Sequence, residues 1–374
     1  MSTRLITKLY PMLRRMLTAG LVIALLSASA QAQRGADLGN ALAEWRSVVD
    51  SAVSAVRRIT FAADPEQRDR ATQELEAAAL RGSDYAALQL AYAYLTGVHG
   101  FPMDLERSRA WYEMAVRQEQ DLALFQYGMM LTHGHRFDRN EERGKQLILR
   151  AAQLGSAPAR MFLVVGLEEQ GDEESLDEAA AWRQLMGTQL NPNNGYREDD
   201  DYRKYLIGSG CGTLRDYFSR GVFVPADAER AERYLECIES DIRSDALAET
   251  ASGYAYSGFM WADHAYARQL YEDALAGTSG WGINNYAWLL ATSPDSAIRD
   301  GERAVSLMEE LLSRGRREGA WVDTLAAAYA EAGRFDEAVE TQEEALTLLG
   351  RYHDAYDEAV ERRDLYASGA AWRN

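Results

Sequence analysis

The sequence predicts an all-α fold, an α-α superhelical solenoid of helix-turn-helix repeats, and three observations carry that reading. Between residues 84 and 171 the chain repeats itself. Gly97, Gly134 and Gly171 recur every 37 residues, Leu88, Phe125 and Phe162 keep the same step, and Trp111, Leu147 and Trp182 follow at 36 and 35. Self-similarity of that length marks a helical array, in which one unit buries its apolar face only when a neighbour stacks on it. Composition agrees: 47% apolar residues support a sizeable core, and only seven prolines interrupt a chain rich in Ala, Leu, Glu and Arg. Runs of alternating β-branched residues are almost absent, so no large sheet is expected.

In chain order, residues 1–32 read as a cleavable signal peptide. Arg4, Lys8, Arg14 and Arg15 form a basic start, residues 17–28 a short apolar core, and Ala28-Ser29-Ala30 and Ala30-Gln31-Ala32 offer small-residue cleavage sites. The core is shorter than the roughly 20 residues a permanent anchor needs, so no stable membrane insertion is expected after cleavage. The expected location is the periplasm or the outside of the cell. Removing the segment deletes four positive charges and no negative ones, so the formal charge moves from −18 to about −22. Such a surface repels phosphate backbones, and nucleic acid is not an expected partner.

Residues 33–190 are expected to form the first repeat array. The stretch 41–60 has Leu42, Trp45, Val49, Val53 and Val56 at helical steps. Asp64 is placed to cap the next helix, with Pro65 at its first position. Ala71, Leu75, Ala78, Ala79 and Gly82 complete a degenerate first unit.

The following units carry Ala87, Leu90, Ala91, Tyr94 and Gly97, then Pro102, Asp104, Trp111, Tyr112 and Ala115. The next copy keeps Tyr127, Gly128, Leu131 and Gly134, then Ala151, Ala152 and Gly155, with Leu147-Ile148 in the aromatic slot. This pattern resembles the Sel-one-like repeat, a relative of the tetratricopeptide repeat. The third copy keeps Gly171, Ala179 and Trp182 but has Glu168 where Tyr or Leu is expected. Each Gly ending a first helix supplies a left-handed cap, a conformation cheap only for Gly. The Ala positions let the two helices of a unit approach closely.

Residues 191–244 are expected to be an irregular linker or insert. Asn191-Pro192-Asn193-Asn194-Gly195 is turn chemistry, an acidic run follows from Glu198 to Asp201, and Gly208, Gly210 and Gly212 alternate. A degenerate second-helix signal appears at Pro225, Asp227, Ala231, Tyr234 and Leu235. Residues 245–374 return to repeats. Asn284 to Thr292, then Leu325, Ala326, Tyr329, Gly333, Phe335, Ala338 and Ala345-Leu346, resemble paired tetratricopeptide units, and residues 352–367 read as a capping helix.

No catalytic, cofactor-binding or metal site is expected. HExxH, CxxC and GxSxG do not occur, and the acidic run lacks the spacing and glycine of a calcium loop. His133, His135 and His99 lie in equivalent loops, but two ligands at that spacing make no site alone. Cys211 and Cys237 allow one internal bridge, worth roughly 3 kcal/mol through loop closure, or stand as two buried thiols. What remains is surface. First helices of such arrays line a concave groove, where the pattern puts Tyr85, Tyr92, Met129, Asn284 and Trp288. An aromatic, Met-lined groove with an acidic rim suits a protein or peptide partner. The expected function is therefore a non-enzymatic periplasmic scaffold. The alternative is an envelope hydrolase or ligand-binding protein, acting on β-lactams or peptidoglycan, with its site in 191–244.

Overall fold

The computed structural model describes residues 46–373 except 61–63, 187, 192–194, 199, 239, 241, 257, 258, 316, 351, 352 and 354. The signal peptide and the start of the first expected helix lie outside the described residues. The described residues divide into two compact units, 49–282 and 46–48 with 283–373.

The large unit is a succession of antiparallel helix pairs. They are α1 (46–60) with α2 (Pro65–Leu80), α3 (Asp84–Thr96) with α4 (Leu105–Arg117), and α5 (Asp121–His133) with α6 (Glu141–Gln153). Then come α7 (Ala157–Gln170) with α8 (Glu173–Met186), α9 (Asp200–Arg220) with α10 (Ala228–Glu236), and α11 (Arg243–Ala255) with α12 (His264–Ala274). First helices α3 and α5 are apolar nearly all round. In α3, eleven of thirteen residues are buried, whereas α4 buries only Ser108, Tyr112 and Ala115. The first helices therefore form the inner layer, and the second helices cover it with one apolar stripe each.

Two local devices set each pair. Gly97, Gly134 and Gly171 end α3, α5 and α7 in the left-handed conformation, at φ of 72°, 65° and 73°. An Asp or Asn then opens the second helix: Asp104, Asn140, Asp227 and Asp263 each accept the backbone N–H three residues on. The backbone N–H of the same four residues donates back to Tyr94, Leu131, Phe218 and Tyr254 in the preceding first helix, at 2.9 Å each. One residue thus caps one helix and ties it to its partner. At the irregular third copy Glu168 is paired with Arg183 of α8, a double hydrogen bond of 3.0 Å that replaces the missing apolar contact.

The stretch expected to be irregular is more ordered than its composition suggests. Strands β1 (Thr188–Asn191) and β2 (Gly195–Glu198) pair antiparallel, with Leu190 opposite Tyr196. The 21-residue helix α9 follows, contacting α7, α8 and α11. Gly208, Gly210 and Gly212 lie within it. A Cβ at Gly210 would come 2.8 Å from the carbonyl oxygen of Ala157, and one at Gly212 would come 2.7 Å from Oγ1 of Thr250. The glycines thin the helix on two sides so that α7 and α11 can approach, and α9 with α10 makes a further helix pair, its second helix at the degenerate repeat signal. Cys211 of α9 and Cys237, the C-cap of α10, are joined as a disulfide with Cα atoms 6.4 Å apart, inside the usual range.

The small unit holds α13 (Gly280–Thr292), which starts at the unit boundary, α14 (Gly301–Ser313), α15 (Gly319–Glu331), α16 (Phe335–Leu349) and α17 (Tyr356–Ala367). Helix α17 packs on α15 and α16 at the expected capping position. Its Arg362, 3% exposed, donates to both carboxylate oxygens of buried Asp323 at 3.0 and 2.9 Å, and Gln342 donates to the same carboxylate.

Candidate partner groove

Helices α3 and α5 carry the same design one repeat apart. Gln89 and Gln126 are 37 residues apart and both buried, at 0% and 2% exposure. Gln126 is saturated on one side by each neighbour. Its Oε1 accepts from the Tyr112 hydroxyl at 3.1 Å, and its Nε2 donates to the Tyr217 hydroxyl of α9 at 3.0 Å. Gln89 Oε1 instead accepts the backbone N–H of Met260 at 2.7 Å, while its Nε2 has no partner. The Met260 carbonyl lies 3.0 Å from Nε2 of His99. A carbonyl only accepts, so that imidazole nitrogen carries the proton. Burial lowers the pKa of His99, which favours the neutral ring that this bond uses.

An aromatic chain lines the same inner surface. Phe259 stacks on Trp261 at 4.5 Å, Trp261 meets Tyr92 edge-on at 5.6 Å, and Tyr92 and Tyr217 both contact Phe223, at 6.0 and 4.5 Å. Tyr217 stacks on Phe125 at 5.9 Å. The turns at 221–227 and 259–263 therefore fill the inner surface of α3 and α5.

That filling corrects part of the sequence-based groove. Tyr92 is 5% exposed and Met129 0%, so neither presents a side chain to a partner. Burial pushes the Tyr92 phenol up to about 12. Their positions on the first-helix face are as expected, but for Tyr92 the facing space is occupied by Phe223 and Trp261. Tyr85 is half-buried, 6.0 Å from Phe259, and its hydroxyl has no partner. In the small unit Asn284 and Trp288 stand one turn apart on α13, both half-buried. The Arg362 guanidinium lies between the Trp288 and Trp372 rings, at 5.4 and 5.6 Å, and Asn284 Oδ1 has no partner.

The residues that sequence reading missed are Gln89, Phe223, Phe259, Met260 and Trp261, and His99 is named there only as a metal candidate. One signal was available. Phe259-Met260-Trp261 is a run of three large apolar residues between two helices, and such a run in a connection needs a surface to bury against.

Among the described residues of the segment favoured by the alternative reading, Asp216 of α9 is a buried carboxylate. It accepts from the Tyr254 and Tyr266 hydroxyls, and Arg220 lies 4.7 Å from both rings while pairing with Asp263. Burial raises the Asp216 pKa. Two phenols occupy the carboxylate, so this cluster fastens α9 to α11 and α12. The histidines are likewise engaged: His133 Nδ1 is 2.9 Å from the Met129 carbonyl and His135 Nε2 is 3.1 Å from that of Gly221. Among the described residues no three His, Cys, Asp or Glu side chains converge as metal ligands, and no helix is long and apolar enough to cross a membrane. A cleft of about 260 Å³ beside α4 and α6, lined by Arg109, Glu113, Tyr127, Arg139 and Arg143, is taken up by the chain's own pairs, Arg143 with Glu113 and Arg139 with Glu141.

The family model described as Sel1 repeat matches residues 84–119, 121–156 and 209–237. These segments contain α3 with α4, α5 with α6, and most of α9 with α10. Among solved structures the chain is similar to a Sel1 repeat protein from Oxalobacter formigenes, at 18% identity over 94% of this chain and 92% of that one, with a TM-score of 0.29. A protective antigen of uropathogenic Escherichia coli strains, displaying an SLR fold, gives 16% identity over 80% and 76%, with a TM-score of 0.27. The TPR domain of P58(IPK) gives 14% over 86% and 98%, with a TM-score of 0.28. No curated protein sequence matches the chain.

Proposed function

We propose, from the match of three segments to the Sel1 repeat model, that the protein is a non-enzymatic scaffold, exported to the periplasm or beyond, that holds a protein or peptide partner on its first-helix surfaces. The observation that carries the reading is on α13. Trp288 offers a half-buried aromatic face, and one turn earlier Asn284 has a carbonyl oxygen with no donor. The Asn284 oxygen is itself buried, and what the face presents is the half-buried Trp288 ring, an aromatic anchor that suits a peptide. The acidic balance of the chain directs the choice away from polyanions.

The test is crosslinking and affinity capture from cell envelopes, with wild type beside Asn284→Ala and Trp288→Ala, each checked for wild-type helicity. A specific partner should fall at least fivefold in both variants. Equal recovery from wild type and both variants would remove the first-helix surface of α13 from the proposal. Export is tested by N-terminal sequencing of protein from the periplasm, where a start at residues 31–33 is expected.

A further inference from the structure

The inner surface of α3 holds a piece of this chain in the manner of a bound peptide. Phe259, Met260 and Trp261 form a β-turn in which the Phe259 carbonyl accepts the Ala262 N–H at 3.0 Å. Both backbone polar groups of Met260 are taken by side chains of one distant repeat, its N–H by Gln89 and its carbonyl by His99. The two partners lie 171 and 161 residues away in the sequence. The next repeat makes one contact of this kind, His135 Nε2 to the Gly221 carbonyl at 3.1 Å, so the hold on both backbone groups of one residue distinguishes α3. Reading the backbone of one residue with two side chains is how a site grips a peptide whatever its sequence, leaving specificity to the side chains. Those are distinctive too. Met260 is fully buried, whereas Phe259 and Trp261 are half-buried and reach the surface.

Comparison between the two repeats separates what the fold requires from what is added. The left-handed backbone of His99, at φ 52°, recurs at Arg136 one repeat later, at φ 67°, so the loop shape belongs to the repeat. An imidazole reaching a facing turn recurs too, His135 to the Gly221 carbonyl, so the addition is the bond from the Met260 N–H to Gln89. Gln126 uses both ends of its amide on Tyr112 and Tyr217. Gln89, equally buried, leaves Nε2 unbonded, and a buried donor without an acceptor is costly. The site on α3 has one more donor than its present occupant satisfies.

We propose that the turn of Phe259, Met260 and Trp261 is an internal pseudo-ligand, seated in a peptide site that Gln89 and His99 form on α3. The external partner that fits is a β-turn with a long unbranched apolar residue flanked by two aromatic ones, which displaces the internal turn and supplies Gln89 Nε2 with an acceptor. This rests on the reading of first-helix surfaces as protein-binding and names the ligand class for the large unit. Displacement keeps the array intact, because α11 and α12 remain joined to α9 through Asp216, Tyr254 and Tyr266.

The probe is a fluorescein-labelled synthetic peptide of residues 254–264, titrated by polarisation against the full chain. Phe259→Ala with Trp261→Ala should loosen the internal turn, so that the peptide binds at least tenfold more tightly than to wild type. Adding Gln89→Leu should reverse that gain at least tenfold. A doubly substituted protein with wild-type circular dichroism that binds no peptide overturns the proposal, as does binding unchanged by Gln89→Leu. Should the double variant not fold, hydrogen exchange in wild type decides. The Met260 amide should exchange at least tenfold faster than the interior amides of α3, and exchange at the α3 rate overturns the proposal. A peptide that binds the loosened variant, with no envelope protein captured by wild type, supports this site and removes the scaffold reading. Envelope partners held equally by wild type and the loosened variant leave the scaffold reading and remove this one.

Discussion

Asp84 shows how a residue with sound local chemistry becomes a misfit through its neighbours. In the first turn of α3 a carboxylate accepts the Tyr85 N–H at 2.7 Å and faces the positive end of the helix. Yet it is only 5% exposed, and Asp121 of the next repeat is close enough to repel it. Burial first, and Asp121 after it, raise the Asp84 pKa to about 6. Its folded value thus lies above the unfolded one of about 3.9. The protonated carboxyl therefore favours the folded state fully below about pH 4, and that contribution is lost as pH rises through 6. Asp84→Asn keeps an acceptor and removes the charge. It should stabilise the protein by roughly 2–3 kcal/mol at pH 7.5, taking 1.36 kcal/mol per pKa unit, with no difference near pH 4. Thermal melts of both proteins at the two pH values check this, and an equal gain at both would refute the burial argument. Sequence shows the acid at a helix start and its recurrence at Asp121. The burial comes from the stacked repeat, and no local pattern reports it.

At the scale of the element, glycine separates what was legible from what was not. Gly97, Gly134 and Gly171 were legible because a left-handed cap leaves glycine little competition, so a strict spacing of glycines spells out helix ends. Helix α9 was not, because its three glycines carry the opposite local preference. Each disfavours a helix interior by about 1 kcal/mol relative to alanine, and their value lies in the approach of α7 and α11. One substitution at two sites tests this. Gly166 sits inside α7 with nothing within 4 Å of an added Cβ, whereas Gly210 would meet the Ala157 carbonyl oxygen at 2.8 Å and the Met161 side chain at 2.9 Å. Gly166→Ala should raise stability by about 0.5–1 kcal/mol, and Gly210→Ala should lower it by about 1–3 kcal/mol. Urea unfolding reads both signs, and stabilisation by alanine at both positions would show that α9 is not held close by its glycines. The groove follows the same division. The helical period puts Tyr85, Tyr92 and Met129 on the inner face of their helices. That Phe223 and Trp261 cover Tyr92 depends on contacts across more than a hundred residues.

For the whole molecule, the consequence of a repeat array is that stability accumulates along the chain instead of residing in one core. Four pairs of the large unit are closed by their own cap and tie, and the contacts sort into two compact units. Both cysteines of the Cys211–Cys237 bridge belong to the large one, so redox state acts on that unit alone. Closing a loop over this 26-residue separation contributes roughly 3 kcal/mol by restricting the unfolded chain. A unit of this size loses about 2–4 °C per kcal/mol. Calorimetry of the oxidised protein should therefore resolve two transitions, as expected where two-state behaviour fails in multi-unit chains. Reductant should move one of them down by roughly 6–12 °C and leave the other in place. A single transition that shifts as a whole would mean that the units unfold together. Two transitions that both ignore reductant would mean that Cys211 and Cys237 remain thiols, and that α9 and α10 are held by packing alone.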